Sequence, residues 1–540
     1  MQAYQFHIQP EVHIFSPQDN FFDLSGFVQA IRIKKDVNTP VATMQVTLNP
    51  ARDGSLKDNV THNSVINFLH KKIKLQSVIT GKIDENNKKH TFLGFVDHKY
   101  ESIYSFANST QRTLVLNCSL LLPKLLLRDN IVNAPVLSTN EKIKKELGER
   151  TQFFGWMRGL TPEGKSPFAG KPEDAVKWIL DNIPSTNTNM GNDLKPKTFF
   201  DPKKKDIDGK SLLDFNFLTG EFLFSPQLAR FSGPILNYIY SCIDQAFYEV
   251  YFDTTTGEDG LAYNTMVIRP KPFSFKNYTS PVTSKVIDKW LYFEDLPEIK
   301  INKEIRLQEN LGINDYELKN LFTLNFLNSL IGSASSYLGK FGLQFPVVNI
   351  ESIKRFGLRD LTLTSTLINI GRVIEQYNGK IKDGGKPIDA ITAGEDNNLL
   401  QYLLEKREKV VEWFAFPYFD SGQLMVVGNE NYTIGQRLFY EDKEYFYEDT
   451  DTVYQGMHYY INNVFHDFSF GSFFKTTLGL SRGTPTDLAA EWLNTNRPKM
   501  VSINKFDNPA EPEAMSIIKP EIYQEVNEVF GEIGLVEEMR

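Results

Sequence analysis

Residues 457–483, MHYYINNVFHDFSFGSFFKTTLGLSRG, restrict this chain more than any other stretch. From Phe474 onward, Phe474, Thr476, Leu478 and Leu480 fall on one side, and Lys475, Thr477, Gly479 and Ser481 on the other. A period of two is that of a half-buried strand. The preceding half is rich in aromatic and β-branched residues, with Tyr460, Val464, Phe468 and Phe470 sharing a face. Gly471-Ser472 between the halves is a turn signal. The stretch predicts one long antiparallel hairpin that closes at Arg482-Gly483.

The rest of the composition agrees with a sheet-rich protein. Aromatic residues make up 13% of the chain, with 41 Phe and 23 Tyr, and such side chains favour pleated, half-buried surfaces. At 540 residues the chain exceeds what a single core serves, so several domains are expected. A net charge of −8 argues against a nucleic-acid binder, whose phosphate contacts need a local excess of Lys and Arg. Cys118 and Cys242 are the two cysteines, too few for a disulfide framework or a Cys-rich metal site. Cys118 shares a strand face with Leu114 and Leu116 and reads as a small buried hydrophobe. No basic start followed by an apolar core opens the chain, and no run of 18 apolar residues suggests a membrane span.

Taken in order, residues 1–135 read as consecutive strands: 27–33, 42–48, 72–80, 89–98 and 112–120, with a helical or loop piece around 62–70. Residues 136–235 change texture. A helix starts at Pro172 with acids in its first turn and holds Trp178 as a core anchor, and the polar stretch 184–205 reads as an exposed connection. Residues 236–400 form a mixed α/β middle region. There Phe247 to Phe252 is a strand ending at Asp253, Thr254 to Gly260 its turn, and Met266 to Phe273 the return strand. Residues 328–346 are rich in small side chains and fit either an adaptable loop or a close-packed inner surface. A helix over 399–414 leads into a second β region, 401–485. Beyond 486, a linker with two prolines precedes Glu521 to Ile533, where Ile522, Val526, Val529, Phe530 and Ile533 fall at helical spacing. That stripe either packs on its own subunit or docks a neighbouring subunit or spike.

Several of these segments resemble the hub proteins of contractile phage tails and phage-like injection systems. Tyr459-Tyr460-Ile461, Val464 and His466, then Phe474, Thr476-Thr477-Leu478, Leu480 and Arg482-Gly483, match the closing strands of the hub barrel. Earlier segments follow the same order: Asp23-Leu24-Ser25, Thr43 to Asn49, Phe92-x-Gly94-x-Val96, and Leu120 to Leu126 as the barrel exit. In the middle come Glu249 and Asp253 in acidic strand positions, the Arg269-Pro270 return strand, Asn314 to Asn320, Arg355 to Arg359, and the turn Gly428 to Gly435. Asn314 stands where the family usually has Ser, and Phe356 where Tyr is common. The resemblance covers most of residues 20–485.

No enzyme site is assigned. Gly159 to Ser166 satisfies the G-x-x-x-x-G-K-S expression, but Pro167, Gly170 and Pro172 interrupt the helix that must follow such a loop, so the segment reads as a surface turn. The eight histidines form no metal motif. His7 with His13, or His458 with His466, are the pairs to check across strands, and His466 alone reads as a hydrogen-bonded structural residue. Ser502-x-x-Lys505 is a chance-level match. No catalytic, cofactor or metal residue is expected.

The fold expected is therefore mainly β with an α/β middle region: two tail-hub-type antiparallel β-barrels linked by a mixed α/β segment. What the resemblance implies is a structural hub subunit at the baseplate of a virion or injection particle, assembled in the host or producer cytoplasm. It further implies a homotrimeric ring joining the tail tube protein to the central spike protein and other baseplate subunits, with DNA only as passing cargo and no stable membrane insertion. The alternative is a cell-wall-degrading or carbohydrate-binding tail protein.

Overall fold

The computed structural model describes residues 8–15, 22–50, 62–106, 109–128, 130–131, 176, 180, 200–201, 203–216, 233–241, 243, 245, 247–272, 275–276, 290–313, 315, 318–325, 347–364, 409–415, 420–446, 453–485 and 499–502. The predicted hairpin contains the longest strand among the described residues. β20 (Val453–Ser469) and β21 (Lys475–Pro485) run antiparallel around a turn at Gly471, with Val464 opposite Leu478 and His466 opposite Thr476. Phe474, Thr476, Leu478 and Leu480 are buried as their alternation requires. Phe470 is the exception on its predicted face, because it belongs to the turn and is exposed.

The hairpin does not close at Arg482-Gly483. Arg482 adopts a left-handed backbone, φ 57°, where the ladder skips between His458 and Tyr460. A bulge of this kind absorbs an extra residue and lets pairing resume, so β21 continues to Pro485 opposite Met457.

Along its other edge β20 holds two different strands in succession. Tyr460 to Val453 pair with β19 (Arg437–Phe446), and Asn463 to Ser469 pair with β3 (Val28–Asp36). One mainly antiparallel, curled sheet results. From β3 it runs through β4 (Thr39–Leu48), β7 (Ser109–Leu120), β6 (Phe92–Phe106), β5 (Val78–Lys82), β1 (Glu11–Phe15) and β2 (Phe22–Asp23). From β21 it runs through β18 (Asp420–Val427) to β14 (Arg306–Ile313), while β13 (Glu298–Ile301) pairs parallel with β19. Two apolar clusters line the two halves, one around Ile31, Val46, Leu116 and Phe92, the other around Leu424, Leu438, Tyr459 and Leu478.

A second sheet, β9 (Leu213–Phe215), β11 (Tyr248–Thr256) and β12 (Ala262–Pro270), packs against the first half. β11 outruns the predicted end at Asp253, because Thr254, Thr255 and Thr256 are β-branched, buried and paired with Asn264, Tyr263 and Ala262. The turn is accordingly shorter, centred on Gly257 to Gly260. A four-stranded sheet joins β15 (Leu321–Asn325), β16 (Val347–Val348), β17 (Asp360–Thr364) and β22 (Val501–Ser502). The helical piece near 62–70 is α1 (His62–Lys72); Lys99 Nζ donates to the carbonyl of His70 in its last turn at 2.7 Å and to that of Ile73 just beyond it at 2.6 Å. The predicted barrel exit is α2 (Leu121–Arg128), burying Leu121, Leu122, Leu125 and Leu126, and it is followed by the short β8 (Asn130–Ile131), which pairs with β10 (Gly233–Pro234). Of the helix predicted from Pro172, the described residues Val176 and Leu180 are helical and buried; Trp178 lies outside the described residues. So does the small-residue run 328–346. No helix among the described residues is long and apolar enough to cross a membrane.

Leu478 is fully buried between β18 and β20, whereas its neighbour Thr477 points to the opposite face. Leu478→Ala should cost about 2–5 kcal/mol through lost contacts and a cavity, with Thr477→Ala within about 0.5 kcal/mol; urea midpoints of the two variants check this.

Candidate functional site at the junction of three strand systems

β11 is buried on both faces, and its alternation sorts the side chains by chemistry. Tyr248, Val250 and Phe252 enter the first apolar cluster. Glu249, Tyr251 and Asp253, one residue out of phase, turn towards β20 and the loop between β18 and β19, Tyr251 joining the second cluster. Strand period thus places two carboxylates in a boundary between two cores. Buried charges there require partners.

Each carboxylate has them. Arg269 of β12 donates to Glu249 at 2.6 Å, the Tyr460 hydroxyl of β20 donates to the other Glu249 oxygen at 2.6 Å, and Arg269 also donates to the Gly435 carbonyl at 2.8 Å. The guanidinium stacks over the Tyr251 ring at 5.3 Å. Side-chain exposures of 9% for Arg269 and 3% for Glu249 make this a buried ion pair. Burial works against the guanidinium charge, but the surrounding Tyr251, Glu249 and Tyr460 oxygens outweigh it and raise the Arg269 pKa. Burial, and then Glu249, pushes the Tyr460 phenol far above its ordinary range. Asp253 accepts from Lys35 Nζ of β3 at 2.5 Å and from the Thr433 hydroxyl.

The loop 428–436 gathers these contacts. Glu430 accepts from the backbone N–H groups of Ile83 and Asp84 at 2.5 and 3.0 Å, from Asn87 Nδ2 at 3.1 Å and from the Thr91 hydroxyl, all in the turn between β5 and β6. Burial raises its carboxyl pKa, and those same hydrogen bonds oppose the rise. Gly435 has φ +75°, and a Cβ there would run into the Tyr251 hydroxyl and the Arg269 guanidinium, so both conformation and space call for glycine. A single turn therefore ties the β5–β6 turn, the β11–β12 hairpin and β20 together.

Two other hub-like segments also meet. Asn320, fully buried, donates to the Gly357 carbonyl at 2.7 Å and accepts from the Arg359 N–H at 2.7 Å, and Arg359 pairs with Asp315 at 2.6 Å. Beneath the hairpin, His466 is fully buried with Nδ1 3.0 Å from the Thr476 hydroxyl. Burial, helped by nearby Lys35, pulls its pKa down to about 3.

The five residues of the predicted C-terminal stripe, Ile522, Val526, Val529, Phe530 and Ile533, lie outside the described residues, as do the Gly159 to Ser166 segment, His7 and Lys505. His458 and His466 are not brought together: they lie on one strand, eight residues and about 27 Å apart. His13 sits instead between Glu11 and Asp23, at 3.4 and 3.7 Å. Among the described residues no group of three or more His, Cys, Asp or Glu side chains is placed to hold a metal ion. Sequence reasoning singled out Glu249 and Asp253 but missed Lys35, Glu430 and Thr433. Lys35 carried a legible signal, since it occupies the same strand phase as the fully buried Ile31 and Ile33. A lysine in a buried register needs an acid.

No family model matches the chain, and no curated protein matches it. Among solved structures it is similar to the 43 kDa tail protein of prophage MuSo2 from Shewanella oneidensis, at 10% identity, a TM-score of 0.40, and coverage of 88% of this chain and 98% of that one. It is also similar to a tail protein from Neisseria meningitidis MC58, at 10% identity, a TM-score of 0.37, and coverage of 90% and 99%. A third is the E. coli c3393 protein, a type VI secretion component described as structurally similar to T4 tail proteins gp27 and gp5, at 8% identity, a TM-score of 0.31, and coverage of 85% and 74%. These structural neighbours are proteins of phage tails and of a related secretion machine.

Arg269→Ala strands Glu249 without its cation and should destabilise by about 3–5 kcal/mol, measured as a lowered denaturant midpoint. His466 gives a pH test. Its folded pKa lies well below the ordinary imidazole value of about 6.5, so the unfolded chain binds the proton first and stability falls as pH drops from 6.5 towards 3, by up to about 1.4 kcal/mol per unit. Glu430, with its raised folded pKa, acts in the opposite sense, losing its contribution as pH rises through that value. Burial likewise lowers the His90 pKa, to about 4, so thermal midpoints between pH 7 and 5 should decline on acidification, and His466→Asn should reduce that decline while leaving the share due to His90.

Proposed function

We propose that this chain is a structural subunit of a tail baseplate hub, three copies of which form a ring that joins the tail tube to the central spike of a contractile tail or injection system. The observation that carries this reading is the double use of β20. Its first half pairs with β19 and its second half with β3, so two curled strand systems from opposite ends of the sequence are fused edge to edge in one subunit. Completed into two barrels per subunit, three copies offer six similar units, a ring that matches a six-fold tube on one side and a three-fold spike on the other. Closed rings of this kind follow from head-to-tail contacts whose rotation closes. The segments on which the hub resemblance stands also converge: Glu249 and Asp253 meet the Gly428 to Gly435 turn and β20, and Asp315 to Asn320 meets Gly357 to Arg359.

In this role the chain is a scaffold and not an enzyme. The acids and bases of the junction bind one another and fix the relative positions of the strand systems. The net charge of −8 suits a channel that lets DNA pass without holding it. Light scattering of the purified protein, followed by negative-stain imaging of the same sample, tests the reading. A trimer with a central hole, able to bind tube or spike protein, is the expected outcome. A monomer that clears peptidoglycan would replace the hub reading with a lytic one.

A further inference from the structure

The strand at one end of the large sheet, β14, is held differently from the rest. Among the described strands it pairs with β18 alone, and none of its eight residues is buried. Leu307 and Ile313 are 41% and 45% exposed, and Leu311 alone of the strand packs against the second apolar cluster. With so little apolar burial, β14 is attached by the ladder on one side and by its polar side chains.

Those side chains converge on Glu309. Its carboxylate accepts from the Tyr440 hydroxyl at 2.9 Å, from Arg306 of its own strand at 2.9 Å, and from Lys443 Nζ. Arg306 also donates to the Tyr440 oxygen at 2.7 Å. Tyr440 and Lys443 belong to β19, with which β14 shares no backbone pairing. Burial acts to raise the Glu309 pKa, but the bonds from Lys443, Tyr440 and Arg306 outweigh it and hold the carboxyl below its usual range. Glu309 is thus a clasp that closes β14 onto β19 without a ladder.

A second carboxylate opposes closure. Asp420 stands opposite Ile313, at the last pair of the β14–β18 ladder. It is 2% exposed; its Oδ2 accepts from the Tyr459 hydroxyl at 2.8 Å, while its Oδ1 is buried without a hydrogen bond. Burial raises its pKa, and the Tyr459 bond works against the rise. A buried carboxylate with an unsatisfied oxygen is stabilised by water, which reaches it when the neighbouring edge strand lifts away.

Both ends of β14 are tied down. On one side the Val427 N–H donates to the Ile305 carbonyl at 2.8 Å and the Lys303 N–H to Asp442 at 2.8 Å; on the other, Arg359 pairs with Asp315 at 2.6 Å. We infer that β14 is a strap that opens from β18 as a unit while its ends stay anchored, with Glu309 holding it closed and Asp420 favouring its release. Opening bares the N–H and C=O groups of the β18 edge, the kind of surface to which another strand adds. The inference concerns one chain by itself and is independent of the hub reading.

Hydrogen exchange of the full-length chain, resolved to single residues, tests it. The β14 amides that bond to β18 are expected to exchange together and well ahead of those in β20 and β21. Glu309→Gln should speed the β14 amides about tenfold through the loss of charge-assisted hydrogen bonds. Asp420→Asn, which keeps an acceptor for Tyr459 without the charge, should slow them several-fold. Val464→Ala, in the part that stays folded when the strap opens, should speed β20 and β21 and leave β14 unchanged. Any of four results overturns the proposal: β14 amides as slow as those of β20 and β21 in the unaltered chain, no acceleration in Glu309→Gln, an Asp420→Asn rate at or above that of the unaltered chain, or acceleration of β14 by Val464→Ala. The first and last stand even where Glu309→Gln or Asp420→Asn fails to fold.

Discussion

Every part of the described molecule depends on the pairing of β20 along both of its edges. A sheet edge offers unsatisfied N–H and C=O groups that recruit whatever strand can reach them. Here one edge of β20 is satisfied by β21, and the other is divided between β19 and β3. The division forces a change of neighbour between Tyr460 and Asn463, and the register shifts fall there, between His458 and Tyr460 and between Ile461 and Asn463. Bulges increase local twist, and the increase lets one strand serve two curled half-sheets that face different cores. Tyr459, Tyr460 and Ile461, all buried at that point, show the result: consecutive residues are needed inside because both faces are covered.

Edge pairing alone leaves the angle between the halves soft, and the polar junction fixes it. Hydrophobic contact is non-directional, so two cores meeting at a boundary can slide. Hydrogen bonds and ion pairs in a dry setting cannot, since each has a narrow range of distance and angle. Lys35 to Asp253 fixes β3 to β11, Tyr460 to Glu249 fixes β20 to β11, and Glu430 fixes the loop 428–436 to the β5–β6 turn. The desolvation such groups suffer makes them a poor source of net stability. Their contribution is definition of one geometry between the two half-sheets rather than extra stability.

Much of this was legible from residue order. The hairpin followed from a period of two and a Gly-Ser turn, most early strands from β-branched runs between turn signals, and Cys118 from its phase with Leu114 and Leu116; the strand expected over 72–80 instead begins at Val78, because Lys72 ends α1 and residues 73–77 connect the two. What failed did so for identifiable reasons. Arg482-Gly483 resembles a stop, but a non-glycine residue took the left-handed position and pairing resumed. Thr254 to Thr256 resembled a polar turn, yet their β-branching and buried pairing made them strand. Long-range choices leave no local mark: nothing near Phe465 announces that its partner is Lys34, more than four hundred residues away, and the sharing of β20 was invisible. The junction lay between these cases, since Glu249 and Asp253 were noticed as acids while their partners were read separately.

The same logic bears on the outward face of β18, β21 and β20. A half-sheet whose inner face holds a dense core still exposes the side chains of opposite phase. Polar groups such as Gln423, Asn463 and Thr477 make that face tolerable in water. Trp413, Phe414, Met425 and Phe465, in one groove with them, work against it, because contiguous apolar surface of this sort favours being covered.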